Sequence, residues 1–173
     1  MDTLHEYGCI SVRFPSEVDS GDTGWHVDAG FAGADHNDFS AYRINVYSKG
    51  RGLLMLFLFS DVGEKDAPTK ILKSSHLDVA RLLAEKGEDG LSFMELVSEL
   101  SGISKSEEIL AVGNAGTVYL CHPFLVHGAQ RHLGQVCVDL RVFGIYWSAN
   151  RRDSDLPSPT NSSFFQLYHF PSI

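Results

Sequence analysis

The sequence predicts a mainly β protein, a sandwich or barrel that carries a short helical insertion near its middle. Short runs rich in β-branched and aromatic residues lie toward both ends of the chain, and turn-forming residues separate them. Two segments with helical periodicity occupy about residues 75–102. Strict alternation of strands and helices is absent, and so is a glycine-rich phosphate-binding motif, which argues against a parallel α/β fold.

Each predicted strand is recognised by its pattern of apolar residues. "CISVRF" is β-branched and ends at Pro15, whereas "LLMLFLF" is an unbroken apolar run typical of a central strand covered on both faces. A buried helix is the alternative for that run. Pro123 interrupts one of the later strands. The predicted strands are residues 9–14, 25–31, 42–48, 53–62, 116–128 and 136–147.

The helical insertion has recognisable start and stop signals. Ser74 or Ser75 is expected to cap a first helix, which Gly87 ends. A second helix is expected to begin at Ser92, with Glu95 in the capping-box position.

Length and composition predict one globular domain over residues 1–150, followed by a Ser-, Pro- and Asn-rich tail at 151–173. Hydrophobic residues make up 43% of the 173 residues, and the net charge is -8. Such an acidic chain is not expected to bind nucleic acid or an anionic membrane surface. The longest apolar run, residues 53–59, is far shorter than the roughly 20 residues of a membrane helix.

The cysteines indicate a reducing compartment. There are three of them, with no CxxC spacing, so neither a disulfide framework nor a thiolate metal site is predicted. The N-terminus has neither the basic nor the apolar region of a signal peptide, and we expect a cytoplasmic protein.

The segment "GWHVDAGF" contains the residues that best suit a chemical role. On a strand, His26 and Asp28 would project to one face while Val27 faces the other way. A further histidine from another strand would complete two imidazoles and a carboxylate, a set that suits non-haem Fe(II) because it leaves three positions open. His127, which lies 99 residues after Asp28, is the candidate. The alternative is ordinary polarity of a strand and turn.

The other histidines are predicted to have different roles. His122 lies five residues before His127, on the opposite face of a regular strand, and is expected to be a hydrogen-bonded core or edge residue. His132 is expected to be exposed in a turn, and His76 to lie in the first turn of a helix. His36 is expected in a solvated loop.

Four segments together resemble the phytanoyl-CoA dioxygenase family of Fe(II)/2-oxoglutarate oxygenases. They are "WHVDAGF", "LLMLFLFSDV", "DAPTKILKSSHLDV" and "GTVYLCHPFLVHGAQRH". The resemblance covers roughly residues 10–135, and its most specific parts are the HxD pair and "HPFLVHG". "KSSH" stands where the family has PGSH, and "DAPT" replaces the usual Asn-Gly turn.

The resemblance implies a double-stranded β-helix, a jelly roll or cupin-like barrel, with His26, Asp28 and His127 as iron ligands. It implies an oxygenase that uses 2-oxoglutarate and dioxygen to hydroxylate a small organic or lipid-like substrate. In this family an arginine about eleven residues after the second histidine binds the distal carboxylate of 2-oxoglutarate. A guanidinium suits that role because it forms a rigid two-pronged contact with a carboxylate.

Two features depart from the family pattern. The position of the arginine is Val138 here, and Arg141, the nearest candidate on the same strand, has the opposite parity and would need a β-bulge to reach the pocket. On the simpler interpretation Arg141 faces solvent on a half-buried strand. The chain also lacks the many residues that precede HxD in the family, and sheet surface exposed in this way would favour a homo-oligomer.

Three functions therefore compete. The first is a 2-oxoglutarate-dependent hydroxylase. The second is a non-catalytic jelly-roll protein that keeps the metal triad but has lost 2-oxoglutarate binding. The third is a cupin-like hydrolase or isomerase that uses the same ligands, with zinc as its expected metal.

Overall fold

The computed structural model describes residues 9–19, 21–33, 41–49, 51–103 and 107–145. The predicted C-terminal tail, and His36, lie outside these residues. The strands are β1 Cys9–Arg13, β2 Arg43–Ile44, β3 Leu53–Leu58, β4 Lys70–Leu72, β5 Leu91–Ser92, β6 Glu108–Leu110, β7 Val118–Cys121, β8 His127–Gly128 and β9 Val138–Ile145. The helices are α1 Ser75–Ala84 and α2 Phe93–Glu99, the latter followed by a 3₁₀ turn at Leu100–Gly102.

The described part of the chain is mainly β, as predicted, and its strands form three antiparallel sheets. The first sheet has the order β1-β9-β3-β7, the second β6-β4-β8, and the third pairs β2 with β5. In β3 the residues alternate between buried and half-buried, which places Leu54, Leu56 and Leu58 in the core. The two helices lie between β4 and β6 in the chain, where the insertion was predicted.

A central apolar cluster joins the first sheet to the second. Leu54 and Leu56 of β3 pack there with Ile71 of β4, together with Cys121 and Leu125. Fully burying each such aliphatic side chain stabilises the fold by roughly 1.5–3 kcal/mol before entropy is counted. The cluster therefore holds β4, and with it the neighbouring strand β8, against the larger sheet.

A second apolar cluster packs the helices against the segments that carry the candidate ligands. Val79 of α1 and Leu96 of α2 are fully buried there, together with Val27 and Val126. Val27 lies between His26 and Asp28, and Val126 precedes His127. Because neighbouring side chains in extended backbone point to opposite sides, anchoring the two valines directs the three polar side chains to the side opposite this apolar cluster.

The sequence predicts the helix starts with mixed success. Ser92 and Glu95 form the capping box that was predicted for α2. In α1 the capping position is Ser74, which has a left-handed backbone and makes no side-chain capping bond. The hydroxyl oxygen of Ser75 instead accepts a hydrogen bond from the Val126 amide at 2.9 Å.

Several predicted strands are shorter in the structure. Residues 25–31 form only isolated bridges, at His26 and Phe31, rather than a regular strand. The predicted strand at 42–48 ends after Ile44. A turn follows, which is closed by a hydrogen bond from the Ser48 amide to the Asn45 carbonyl. The predicted strand at 116–128 divides into β7 and β8 around a turn at Pro123. Strands β4, β5 and β6 were not predicted.

Candidate metal centre

Three side chains from two segments that are remote in sequence lie close together in the structure. His26, Asp28 and His127 each offer a ligand atom, and these atoms all lie within 4.8 Å of one another. The Oδ1 atom of Asp28 is 3.7 Å from Nε2 of His26 and 3.7 Å from Nε2 of His127. This is the one group of three such residues in the described part of the chain. The predicted convergence of these residues is thus present in the structure, while their role as iron ligands stays a prediction.

The backbone fixes the spacing of the two histidines. His26 and His127 form an antiparallel bridge in which each amide donates to the other residue's carbonyl, both at 2.9 Å. Directly paired residues of an antiparallel bridge place their side chains on the same face. The two ring centroids consequently lie only 4.5 Å apart.

Hydrogen bonds orient both imidazoles with the same nitrogen facing the cluster. Nδ1 of His127 is 2.9 Å from the carbonyl of Leu125, and Nδ1 of His26 is 3.1 Å from the carbonyl of Gly24. A carbonyl can only accept, so each Nδ1 carries the proton and each Nε2 presents a lone pair. A backbone carbonyl on the far nitrogen is the usual partner of a metal-binding histidine.

The protonation states also suit a cation. Burial alone would raise the pKa of the Asp28 carboxyl, but the neighbouring His127, Arg51 and His26 more than offset it, and the pKa lies below its usual value. Burial lowers the pKa of His127, against the attraction of Asp28. A carboxylate beside a neutral imidazole is the pair that a metal ion requires.

The donor set fits a divalent transition metal. Two ligand atoms, each about 2.1 Å from an ion, are about 3.0 Å apart at a right angle and about 3.4 Å apart at a tetrahedral angle. The observed 3.7 Å separations are slightly wider, so a small inward movement of side chains would complete the contacts. Two imidazoles and one carboxylate suit Fe(II) and also Zn(II).

Two of the three side chains are partly open to solvent. The side chains of His26 and Asp28 are about a quarter exposed, whereas His127 is buried. Phe93, the first residue of α2, lies beside the more open histidine, with the ring centroids 5.9 Å apart. An aromatic ring therefore borders a partly exposed member of the cluster.

Arg51 contacts the cluster directly, and the sequence did not single it out. Nη1 of Arg51 donates to Oδ2 of Asp28 at 2.8 Å, and the arginine side chain is only 5% exposed. A signal was available in hindsight, since an arginine beside a buried apolar run needs an anionic partner.

A buried valine stands at the position where the resembled family has its arginine. Val138 is buried and packs with Leu58 and Val62. Arg141 lies in β9, where the register pairs it with Phe57 in one direction and with Ile10 in the other. Positions 140 and 142, on either side of Arg141 in β9, are the ones that pair with the buried residues Leu58 and Leu56.

The remaining histidines differ in part from expectation. His132 was expected to be exposed but is buried, since its backbone forms a bridge with Asp66, and its Nδ1 accepts a hydrogen bond from the Gly134 amide. His122 accepts from the Phe124 amide and lies against His76, with ring centroids 5.1 Å apart. These two histidines form a pair separate from the candidate metal centre.

No family model and no curated protein sequence matches the chain. Some solved structures are similar to it. One structure is the non-haem α-ketoglutarate-dependent carbocyclase SnoK from nogalamycin biosynthesis, with 16% identity and a TM-score of 0.53. The alignment covers 82% of this chain and 49% of SnoK. The chain shares the fold of SnoK.

HygX from Streptomyces hygroscopicus is a second similar structure, seen with different ligands. Its iron-bound form has 18% identity and a TM-score of 0.43, and 82% of this chain covers 56% of HygX. Its form with nickel, 2-oxoglutarate and hygromycin B has 19% identity and a TM-score of 0.42, over 82% of this chain and 54% of HygX. The chain thus spans about half the length of the structures that it matches.

In the described residues no helix is both long and apolar enough to span a membrane.

Proposed function

We propose that the chain is a non-haem Fe(II)- and 2-oxoglutarate-dependent dioxygenase that hydroxylates a small organic substrate on a double-stranded β-helix scaffold. The observation that carries the proposal is the arrangement of His26, Asp28 and His127, with both Nε2 lone pairs and one carboxylate oxygen directed at a common point. The fold shared with SnoK supports it, as does the resemblance to the phytanoyl-CoA dioxygenase family.

Fe(II) with 2-oxoglutarate would supply the activation of dioxygen, coupled to decarboxylation of 2-oxoglutarate to succinate and carbon dioxide. The residues of the chain hold the site ready for this chemistry. The bridge between His26 and His127 fixes the spacing of two ligands, and the carbonyls of Gly24 and Leu125 keep the Nδ1 protons in place. His26, Asp28 and His127 would hold the ion, and three protein ligands would leave positions for co-substrate and dioxygen.

The surroundings of the cluster favour a small apolar or aromatic substrate. Phe93 lies beside the partly exposed His26, and a benzyl side chain offers apolar contact rather than hydrogen bonds. The helices pack behind the ligand segments through Val27 and Val126 and so exclude water from that side. A substrate carbon bound against Phe93 would lie near His26 and the open positions of the ion.

The proposal is tested by turnover of the purified full chain. Protein loaded anaerobically with Fe(II) and 2-oxoglutarate should show the weak visible charge-transfer band of such complexes, and exposure to air should release succinate. His26→Ala should abolish the band and the succinate. His122→Asn is the matched control, because it replaces a half-buried histidine outside the cluster and should keep both signals. Absence of the band and of succinate from the unmodified protein would contradict the proposal.

One observation favours a second function, a metal-binding protein of this fold that no longer uses 2-oxoglutarate. Val138 is embedded in an apolar cluster where the resembled family has its carboxylate-binding arginine. This alternative predicts that the metal-loaded protein binds 2-oxoglutarate no more tightly than succinate. Calorimetric titration of the Ni(II)-loaded protein separates the two functions, since a micromolar dissociation constant for 2-oxoglutarate supports only the dioxygenase.

A further inference from the structure

The two carboxylate oxygens of Asp28 have different partners. Oδ1 lies 3.7 Å from Nε2 of His26 and 3.7 Å from Nε2 of His127. Oδ2 points the other way and accepts a 2.8 Å hydrogen bond from Nη1 of Arg51. A charge-assisted hydrogen bond of this kind is roughly twice as strong as a neutral one. One oxygen of the carboxylate therefore faces the candidate metal position, and the other is held by the guanidinium.

The turn before β3 holds Arg51 in place through its backbone. The Arg51 amide donates to the carbonyl of Ser48 at 2.9 Å, and the Ser48 hydroxyl donates to the carbonyl of Arg51 at 2.5 Å. The side-chain oxygen of Asn45 accepts from the Lys49 amide at 3.2 Å. These bonds fix the base of a long side chain, so less entropy is lost when its tip binds Asp28.

Close packing fixes the distance between this turn and the ligand segment. A Cβ atom at Gly30, two residues after Asp28, would lie 2.6 Å from the carbonyl oxygen of Lys49, and real side chains do not come so close. The absence of a side chain at this position lets the two backbones touch. Asp28 and Arg51 are therefore brought together by the packing of their segments as well as by their charges.

We propose that Arg51 is a positioning residue that restricts Asp28 to binding a metal ion through one oxygen only. A carboxylate released from this contact would be free to rotate and bind the ion through both oxygens. It would then occupy one of the three positions that two histidines and a one-oxygen carboxylate leave open. The inference rests on the proposed function for the presence of a bound ion, but it does not depend on turnover.

The experiment counts the water molecules on Mn(II) bound to the full-length protein. Mn(II) is paramagnetic, so the water-proton relaxation rate per bound ion reports the number of coordinated waters, and electron paramagnetic resonance of free Mn(II) gives the bound fraction. The unmodified protein should carry three waters per ion. Arg51→Met should carry two, and its relaxation rate per bound ion should fall by about one third.

Two further variants make the result specific to the contact with Asp28. Arg51→Gln keeps a neutral N–H donor on a shorter side chain, which can make only a weakened contact with Asp28, and should give a value between those of the unmodified protein and Arg51→Met. Arg43→Met removes another arginine, whose side chain donates to the carbonyls of Asp89 and Gly90 rather than to the cluster, and should leave the relaxation rate unchanged. If Arg51→Met does not fold, the Arg51→Gln measurement alone decides.

Each outcome distinguishes the inference from the proposed function. Equal relaxation rates for the unmodified protein and the Arg51 variants would overturn the inference and leave the dioxygenase proposal intact. Three waters in the unmodified protein and fewer in the variants, without succinate formation in the turnover assay, would support the inference and overturn the dioxygenase. A protein that binds no Mn(II), Fe(II) or Ni(II) would overturn both.

Discussion

At the scale of single residues, the cluster depends on which atom of each side chain faces inward. His26 and His127 direct Nε2 at the cluster because backbone carbonyls hold their Nδ1 protons. Asp28 directs one oxygen at the cluster because Arg51 holds the other. The same contact makes Arg51 and Asp28 interdependent, since an arginine buried without its anion is costly.

The ion pair predicts a strong coupling in stability. We expect Asp28→Asn to destabilise the metal-free protein by about 2 kcal/mol, less than the roughly 3–5 kcal/mol for one partner of a fully buried pair, because 27% of the Asp28 side chain is exposed. The double variant with Arg51→Met should recover part of this loss. Urea unfolding of the four proteins, made metal-free with a chelator, measures the coupling.

The exposed pair of Arg13 and Asp22 is the control for that coupling. These side chains are 18% and 51% exposed, and their ion pair should contribute at most about 1 kcal/mol. If Asp22→Asn destabilises the protein as much as Asp28→Asn does, the contact between Arg51 and Asp28 has no special role.

His122 predicts a pH dependence of stability that is separate from the cluster. Burial, with a smaller effect from His76, lowers the pKa of His122 to about 4. As the pH falls from about 6.5 to 4 the unfolded chain binds a proton that the folded protein does not, so stability falls by at most about 3 kcal/mol. His122→Asn keeps an acceptor for the Phe124 amide and does not titrate.

Unfolding measured between pH 7 and pH 4.5 checks this prediction. We expect the stability of His122→Asn to fall less steeply with decreasing pH than that of the unmodified protein. The lowered pKa of His76 adds a loss of the same sign to both proteins wherever its burial is retained. Parallel curves for the two proteins would show that His122 takes up its proton equally in the folded and unfolded states.

At the scale of elements, helix α1 supports the strand that carries a candidate ligand. The hydroxyl of Ser75, the first residue of α1, is buried and accepts the hydrogen bond of the Val126 amide, directly before His127 in β8. The same helix contributes Val79 and Leu83 to the cluster that contains Val126. The position of β8 thus depends on the start of α1 as well as on its pairing with β4.

Removal of the Ser75 hydroxyl should leave a buried amide without a partner. We expect Ser75→Ala to destabilise the protein by about 1–3 kcal/mol and to speed the hydrogen exchange of the Val126 amide. Ser98→Ala is the matched control, because that exposed hydroxyl only donates to a carbonyl of its own helix. A Ser75→Ala protein with unchanged stability and unchanged exchange at Val126 would contradict this account of how β8 is held.

How far the sequence predicts these elements depends on the range of the forces that form them. The apolar run that forms β3 and the capping box at Ser92 are local signals, and the sequence predicted a strand and a helix start there correctly. Strand β4 was missed because three residues carry too little periodicity, and its pairing with β6 and β8 depends on residues distant in the chain.

The candidate site shows the same division between local and distant information. His26 and Asp28 form an HxD pair, and His127 lies in "HPFLVHG", which resembles a segment of the oxygenase family. The sequence alone therefore predicts that the three side chains belong to one site. The sequence does not show that Arg51 would reach Asp28, because that contact depends on the turn at 45–51 and on close packing at Gly30. His132 was misplaced for a related reason, since its backbone bridge with Asp66 joins residues that are distant in the chain.

At the scale of the whole molecule, the larger sheet and the two helices pack on opposite sides of the segment that leads to β8. The sheet of β1, β9, β3 and β7 packs through Leu54 and Leu56 against the segments that lead to β8, and the helices cover the opposite side of those segments. The alignment covers 49% of SnoK. Within this chain, both segments that carry His26, Asp28 and His127 lie in the described residues. The convergence of the three side chains is therefore the feature on which every functional proposal depends.

The most direct test of that convergence is a crystal structure of the protein soaked with Mn(II), examined by anomalous scattering at the manganese edge. The account predicts one strong anomalous peak at about 2.0–2.3 Å from Nε2 of His26, Nε2 of His127 and Oδ1 of Asp28. It also predicts that Oδ2 of Asp28 remains on Arg51. A peak at another position, or no peak between the three side chains at saturating Mn(II), would contradict the account.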